Sequence, residues 1–400
     1  MQYRFAPQAV QASSYAASEK RWGHRNKIIS FVDGVPSEIA LPAKLIRHAE
    51  EQAAARRAGL SVLQARDTGG DMLYRETIAE RMAGRGMRTE AERVLAIAGA
   101  QQAIDIAARA LTVPGDTVMV ETPTNPAALR TLAMNGLHIV PVGGDEFGID
   151  LERADQLMSL YRPRMIYVMP SFGVPAGRAW SLERRHGLLG LARQHSVLII
   201  EDDSYGEMGY DESAAARYPA LYSLAGAEGG VLYVNSLTAT VLPRLHLGWA
   251  AGDEELIEVM TDVIHSIGAV GGSLYEQRFM CELLRSPEWD VHIRNLATCY
   301  SRRMTRLTQL LAENGPADFV WAVPQGGSSL WLRLPDGLDG EALLRGAQRK
   351  AVVFEPGAVF YASHPQRNTA RLSVASVSDD LLERGVKLLL EAIEEFTARN

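Results

Sequence analysis

Lysine is scarce in this sequence, since five lysines stand among 41 lysines and arginines and none lies between residues 45 and 349. The whole middle of the chain therefore lacks a side-chain amine. Cysteine is scarcer still, with only Cys281 and Cys299. Two cysteines suggest no disulfide framework and no cysteine-rich metal site, so we expect a reducing, cytoplasmic location and no metal.

The sequence also has no excess of positive charge and no long apolar run. Its net charge is −7 and it contains no stretch rich in lysine and arginine, so we expect no nucleic-acid partner. No window approaches the roughly 18 consecutive apolar residues of a membrane span, so no membrane association is expected. The first 26 residues lack the apolar core of a signal peptide.

What the sequence does have is ordinary globular composition in a long chain. Hydrophobic residues make up 47% of the 400 residues and charged residues 22%, which is enough to bury a large core. A chain of this length fits a large α/β domain plus a smaller one.

The middle of the chain alternates short apolar runs with amphipathic stretches. The apolar runs predict buried strands at 116–123, 164–171, 196–203, 230–236 and 247–252. Helical periodicity between them predicts helices at 101–112, 126–136 and 181–195. This alternation predicts an α/β fold with a mostly parallel central sheet covered by helices on both faces. Ligands of such sheets lie beyond the carboxyl ends of the strands.

After residue 290 the pattern changes. It predicts a long helix at 293–315, strands around a Gly-Gly turn at 319–335, a helix near 340–350, two more strand segments and a final helix at 379–398. This is the pattern of a smaller α+β domain with an antiparallel sheet. The chain is thus divided into an N-terminal segment that joins the small domain (1–44), a large domain (45–290) and a small C-terminal domain (291–400).

Nine sequence motifs follow one another in the order of a known family. They are FVDGVPSEIALP, DTGGDMLYRETIAERMAGRGM, AGAQQAIDIAARAL, PGDTVMVETPTNPAAL, PSFGVPAGRAWSLERR, IIEDDSYGEM, SLTATVLPRLHLGW, PQGGSSLWLRLP and ARLSVA. In this order the chain resembles the fold-type I pyridoxal-phosphate (PLP) enzymes of the class I and II aminotransferase group. It is most similar in style to the kynurenine and aminoadipate aminotransferases and to the effector domains of MocR-type regulators.

The resemblance covers about residues 30 to 395. It implies PLP as cofactor, binding in the large domain, an amino-acid substrate, and a homodimer whose active sites are shared between subunits. MocR-type regulators carry a DNA-binding domain ahead of this fold. Here about 30 residues precede the first motif, fewer than the roughly 50 that a domain needs, so we expect a free-standing protein.

The motifs place the family's cofactor contacts on numbered residues. GAQQ opens a helix, and a helix start offers free N–H groups and a positive dipole end to an anion. The resemblance accordingly puts Ala100 and Gln101 at the cofactor phosphate. In IIEDDSY it puts Asp202 against the pyridine nitrogen, where a carboxylate keeps the ring an electron sink, and it makes Tyr205 a donor to the ring O3′.

Four further residues follow from the same resemblance. Ser236 and Thr238 match hydroxyl contacts to the phosphate and the cofactor. Arg371 in ARLSVA matches the arginine that grips the substrate α-carboxylate as a two-point fork. Gly34 in DGVP matches a glycine near that carboxylate.

Several positions around the ring depart from the family's pattern. Ala65 replaces a tyrosine that reaches the neighbouring subunit's cofactor phosphate, although the adjacent Arg66 offers a charge instead. Asn125 stands where an aromatic residue stacks on the pyridine ring, and Val174 stands where many aminotransferases have an asparagine bonded to O3′. A larger, less aromatic pocket leaves a second reaction type open beside transamination: replacement, cyclisation or C–C bond formation, with a bulky second substrate.

His246 stands where a phosphate-binding arginine is usual. A charge-assisted hydrogen bond of this kind contributes about 1.5–3 kcal/mol, so we expect weaker holding of the phosphate. His246 compensates only when it is protonated, unless Arg244 swings in.

The largest departure is Ala239, which occupies the position of the family's Schiff-base lysine. That lysine holds the cofactor and moves a proton at the substrate Cα. Alanine does neither, so we expect blocked or very slow turnover. Three interpretations stay open: an introduced Lys→Ala change in a working enzyme that traps intermediates, a naturally lysine-less protein that binds PLP or pyridoxamine phosphate, and a binding protein that kept only the fold. The otherwise intact lysine motif favours the first.

Overall fold

The computed structural model describes residues 5, 28–37, 41–55, 69–211, 213–237, 245–269 and 271–397. Five positions singled out in the sequence lie outside these ranges, namely Ala65, Arg66, Thr238, Ala239 and Arg244. Their roles stay predictions.

The described residues form short strands and mostly longer helices. The strands are β1 (Ile29–Ser30), β2 (Val94–Ile97), β3 (Thr117–Glu121), β4 (His138–Val142), β5 (Gly144–Asp145), β6 (Gly148–Ile149), β7 (Met165–Val168), β8 (Leu198–Asp202), β9 (Val231–Ser236), β10 (Gly248–Ala251), β11 (Val320–Trp321), β12 (Ser329–Arg333), β13 (Val352–Val353), β14 (Glu355–Pro356) and β15 (Thr369–Ser373). The α-helices are α1 (Ala43–Ala55), α2 (Met72–Gly84), α3 (Ala100–Leu111), α4 (Pro126–Met134), α5 (Leu151–Tyr161), α6 (Leu182–His195), α7 (Ala214–Arg217), α8 (Leu221–Ala225), α9 (Glu254–Ser266), α10 (Leu274–Arg285), α11 (Pro287–Asn314), α12 (Gly340–Arg349) and α13 (Asp379–Thr397).

The central sheet has seven strands in the spatial order β2-β10-β9-β8-β7-β3-β4. Each of the five strands predicted for the middle of the chain is present, trimmed at its ends. The run from β9 to β4 is parallel throughout. The exception is β10, which runs antiparallel to both β9 and β2. A strand covered on both faces is apolar whichever way it runs, so its composition does not reveal its direction.

Helices cover both faces of this sheet, and each face has its own apolar core. On one face α3, α4 and α9 pack through side chains such as Ile104 and Met260. On the other face α5, α6 and α8 pack through side chains such as Leu157 and Leu188. This is the predicted α/β architecture, with the central sheet enclosed between two helical layers.

A second unit is built on the antiparallel sheet β11-β12-β15-β14. Helices α11, α12 and α13 pack together beside it. Strand β1 pairs in parallel with β13, which ties the N-terminal strand to this unit. The proposed domain boundary at residue 290 falls inside α11.

Helix α11 begins earlier than the predicted 293–315 stretch. The Ser286 side chain accepts a hydrogen bond from the Glu288 backbone N–H, and Pro287 occupies the first helical turn. A serine cap followed by proline is a strong start signal, and it lies upstream of the clearest periodicity. None of the helices in the described ranges combines the length and the apolar character needed to cross a membrane.

The carboxyl ends of the parallel strands face the second unit. Asp202 ends β8 and Ser236 ends β9. The loop after β3 reaches the second unit, because the Thr124 backbone N–H donates to the Phe360 carbonyl oxygen at 2.9 Å. A cleft at this edge is where an open α/β sheet binds its ligands.

Candidate functional site

Asp202 is a buried carboxylate at the carboxyl edge of the sheet, 1% exposed. Its Oδ1 accepts hydrogen bonds from the backbone N–H (3.1 Å) and the hydroxyl (2.6 Å) of Ser204. Its Oδ2 accepts one from the Tyr167 hydroxyl at 2.7 Å. Burial raises the pKa of Asp202, and these hydrogen bonds oppose that rise. The Asp202 carboxylate is therefore held in place through both of its oxygens.

Tyr167 is a site residue that sequence reasoning missed. It lies fully buried in the apolar run MIYV of β7, with its hydroxyl on Asp202. A tyrosine inside a continuous apolar strand signals a buried hydroxyl that needs a partner, so the signal is present in the sequence. Burial and the nearby Asp202 carboxylate raise the pKa of Tyr167 well above its ordinary value. The Tyr167 hydroxyl thus keeps its proton and donates a hydrogen bond to Asp202.

Tyr205, Gly34 and Arg371 come together from three distant parts of the chain. The Tyr205 hydroxyl donates to the Gly34 carbonyl oxygen at 3.5 Å. A Cβ at residue 34 would lie 3.4 Å from both Tyr205 Oη and Arg371 Nη1, so glycine keeps the space between them open. Burial raises the pKa of Tyr205, while the Arg371 charge opposes the rise and the Asp202 charge adds to it. These electrostatic contacts join the four residues into one site.

Arg371 is a buried residue, 8% exposed, and its guanidinium already has several partners. Its Nη2 pairs with Glu355 Oε2 at 2.6 Å and donates to the Val32 carbonyl oxygen. Its Nη1 lies 3.4 Å from Ser329 Oγ, and its central carbon lies 5.7 Å from the centre of the Phe360 ring. Sequence reasoning missed Glu355, although a lone acid in the apolar segment VVFEPG was a visible signal.

The turn into α3 forms a small cradle. Gly99 precedes the helix with a φ of 107°, a conformation that suits glycine, and Ala100 begins the helix. A Cβ at residue 99 would stand 3.7 Å from Ser236 Oγ and 4.0 Å from Gln101 Oε1, and would fill the space between them. The structure therefore brings Ala100, Gln101 and Ser236 together at a helix start, which favours an anion.

Asn125 and Val174 lie on the loops that follow β3 and β7. Asn125 Oδ1 accepts a hydrogen bond from the Ala127 backbone N–H at 3.0 Å and so caps α4. The Asn125 side chain also hydrogen-bonds with Tyr167 and lowers its pKa slightly against the effect of burial. Val174 is partly buried against the apolar core that α3, α4 and α9 form on one face of the central sheet. The Asn125 side chain thus caps α4, and it has no aromatic ring that could stack on the pyridine ring of a cofactor.

His246 is exposed and lies close to the start of β10. The preceding residues 238–244, which include Thr238 and Ala239, lie outside the described ranges. The expected compensation by His246 for a phosphate-binding arginine therefore stays a prediction.

A cavity of about 380 Å³ opens beside this site, between the ends of β3 and β4 and the second unit. Its lining includes Val174, Arg178, Trp331, Tyr361 and Glu121. The Glu121 carboxylate accepts a hydrogen bond from the Met169 backbone N–H at 2.6 Å. Burial nevertheless raises the pKa of Glu121 to about 8, so this acid is mostly protonated at neutral pH.

Replacing Glu121 with glutamine should stabilise the folded chain at high pH. The pKa of this carboxyl rises from 4.5 to about 8 on folding, so its stability contribution is complete below the lower value and is lost as the pH rises through the higher one. Glutamine does not titrate. Urea unfolding at about pH 5 and about pH 9 gives the free energy of unfolding of each protein. From the lower to the higher pH, the variant should gain up to about 4 kcal/mol relative to the unmodified chain. Glu152→Gln, at an exposed glutamate, is the control. A gain in stability that does not depend on pH contradicts the raised pKa of Glu121.

Known proteins resemble this chain over nearly its whole length. The model of the family described as aminotransferase class I and II matches residues 36–389. The aromatic-amino-acid aminotransferase 1 of Thermococcus litoralis is 28% identical over 374 residues, which are 92% of this chain and 88% of that protein.

Solved structures of aminotransferases resemble this chain over a similar length. The α-aminoadipate aminotransferase LysN of Thermus thermophilus, complexed with N-(5′-phosphopyridoxyl)-L-leucine, has a TM-score of 0.89 at 27% identity, covering 99% of this chain and 98% of its own. The kynurenine aminotransferase of Pyrococcus horikoshii, in complex with PMP, has a TM-score of 0.90 at 28% identity, covering 98% of this chain and 97% of its own. The likeness thus extends over both the central sheet and the second unit.

Proposed function

Because this chain belongs to the class I and II aminotransferase family, we propose that it is a fold-type I enzyme that acts on an amino acid, with amino-group transfer as its basic chemistry. Its cofactor is pyridoxal 5′-phosphate. The observation that carries the proposal is that a buried carboxylate (Asp202), a helix-start cradle (Gly99) and a guanidinium (Arg371) gather around the carboxyl edge of one sheet.

The residues of the site fit this cofactor. The space at Gly99, which a Cβ would fill, lies at a helix start and suits a phosphate. Asp202 is a buried anion that would hold the pyridine nitrogen, and Tyr205, kept protonated by its raised pKa, would donate to O3′. When bound, PLP supplies an electron sink for negative charge at the substrate Cα.

Each side chain of the site has a distinct task in this proposal. Asp202 would keep a proton on the ring nitrogen, and the Tyr167 hydroxyl fixes the position of the Asp202 Oδ2. Arg371 binds the substrate α-carboxylate and thereby orients the Cα–H bond. Gly34 keeps the approach to Arg371 and Tyr205 open.

Ala239 leaves one task without a residue, since alanine cannot take a proton from Cα. We therefore propose that this chain turns over very slowly or not at all. The intact motif around it favours an introduced Lys→Ala change that traps intermediates. A naturally lysine-less protein that binds PLP or pyridoxamine phosphate is the alternative.

A second candidate function is PLP-dependent replacement, cyclisation or C–C bond formation with a bulky second substrate. The observation that favours it is the cavity of about 380 Å³ that Val174 lines.

We also propose a homodimer with shared active sites, acting in the cytoplasm. The dimer rests on the family likeness, with Arg66 and the 265–275 segment as the expected partner contacts. The two free thiols, Cys281 and Cys299, support a reducing compartment. We propose no nucleic-acid or membrane partner.

Calorimetric titration with pyridoxamine 5′-phosphate and with pyridoxamine tests the cofactor site directly. The phosphate form should bind at least about tenfold more tightly, because the cradle adds charge-assisted hydrogen bonds. Gly99→Ala should remove most of that advantage by filling the cradle. Gly115→Ala is a matched control, since Gly115 has a φ of 98° but no atom near its Cβ position. If the phosphate adds no affinity in the unmodified chain, the proposal fails.

A further inference from the structure

Glu355 and Arg371 face each other on adjacent antiparallel strands. They stand directly opposite in the register of β14 and β15, so their side chains share one face of that sheet. Glu355 Oε2 lies 2.6 Å from Arg371 Nη2, and the two side chains are 28% and 10% exposed. Solvent screens an enclosed pair only weakly. The Glu355 carboxylate therefore largely balances the positive charge of Arg371 before a substrate binds.

The contacts of Nη2 decide what Arg371 can bind. A guanidinium offers a carboxylate two edges, Nε with Nη2 and Nη1 with Nη2, and both of them use Nη2. Here Nη2 meets both the Glu355 carboxylate and the Val32 carbonyl, whereas Nε has no hydrogen-bond partner among the described residues. A substrate carboxylate cannot form a two-point fork until one of those oxygens leaves. Val32 is main chain next to β1, so the Glu355 side chain is the one that can rotate away.

We propose that Glu355 is a gate on Arg371: an internal carboxylate that occupies the substrate-carboxylate position and must be displaced by each incoming substrate. The inference rests on the proposed function, because it takes Arg371 as the binder of the α-carboxylate. It goes further by making Glu355 a determinant of specificity. Ligands with an α-carboxylate exchange one carboxylate on Arg371 for another and gain little net affinity from it. Ligands without one leave the Glu355 pair in place.

Two ligands that differ only in the α-carboxylate test the gate. They are N-(5′-phosphopyridoxyl)-L-leucine and N-(5′-phosphopyridoxyl)-3-methylbutylamine, and neither needs an amine at residue 239 to bind. The ratio of their dissociation constants, measured by calorimetry, defines the carboxylate preference. Glu355→Gln should raise this preference about tenfold, because a neutral amide competes weakly for a guanidinium. Glu355→Ala should raise it in the same direction and serves if the glutamine variant folds poorly.

The control is Glu383→Gln, which neutralises a glutamate paired with Arg306 on the exposed surface and should leave the preference unchanged. A preference that stays constant or falls in both Glu355 variants overturns the gate, while binding of the two ligands still supports the cofactor site. If neither ligand binds the unmodified chain, the proposed function is overturned and the gate with it.

Discussion

Replacing Ala239 with lysine should raise amino-group exchange between an amino acid and a 2-oxo acid by at least about 10²–10⁴-fold. The added amine supplies the missing proton acceptor at Cα and a nucleophile that can hold the cofactor covalently. Adding PLP to the Ala239→Lys protein should produce a visible absorption band that borohydride reduction removes. Exchange rates measured with a panel of amino acids would give the substrate preference in the same experiment.

Ala239→Met is the matched control for this gain, because methionine fills similar space without an amine. Its exchange rate should stay at the level of the unmodified chain. If the lysine protein shows no reducible band, the chain is not a lysine-dependent enzyme that has lost its amine. If it exchanges amino groups efficiently with ordinary amino acids, the replacement or C–C bond-forming alternative loses its support.

Replacing Asp202 with asparagine in the Ala239→Lys protein should lower the exchange rate by about 10²–10³-fold. Asparagine has nearly the shape of aspartate but no charge, so it cannot keep a proton on the ring nitrogen. Cofactor binding should weaken as well, by about 1.5–3 kcal/mol for one charge-assisted hydrogen bond. Steady-state kinetics and calorimetry measure the two effects separately.

Asp211→Asn makes the same chemical change at an exposed carboxylate and should affect neither quantity. Full activity in the Asp202→Asn protein would mean that the buried carboxylate serves the fold alone. A fall in affinity without a fall in rate would assign Asp202 to holding the cofactor but not to the reaction.

Five of the seven strands of the central sheet could be predicted from the sequence, because they are largely buried and leave continuous apolar runs. The edge strands β2 and β4 were not predicted. The direction of β10 could not be predicted, because neighbouring strands fix it and composition does not. Helix α2 also escaped prediction, since only four of its 13 residues are buried, Tyr74 and Ile78 among them, and Asp71 makes no side-chain cap at its start. Tertiary packing against α10 holds it instead.

The candidate site could be predicted only where a residue belongs to a motif. Asp202, Tyr205 and Arg371 stand in recognisable segments, so the sequence alone indicated them. Tyr167 and Glu355 owe their importance to partners on other strands, 35 residues away in the first case and 16 in the second. A polar residue within an apolar segment signals that it needs a partner, but which partner it meets depends on strand register, and no local pattern in a single sequence encodes that register.

The contact between Arg371 and the Val32 carbonyl joins residues 339 positions apart in the chain. A second hydrogen bond, from Ser373 Oγ to the Asp33 carbonyl at 2.7 Å, spans 340 positions beside it. During translation Val32 and Asp33 leave the ribosome early. They can form these two contacts only after almost the entire polypeptide has been synthesised. A nascent chain acquires Asp202 and the helix-start cradle well before it acquires Arg371, the proposed binder of the substrate carboxylate. Under the proposed function, substrate selection is thus the last property to emerge, and a chain that ends before residue 371 never gains it.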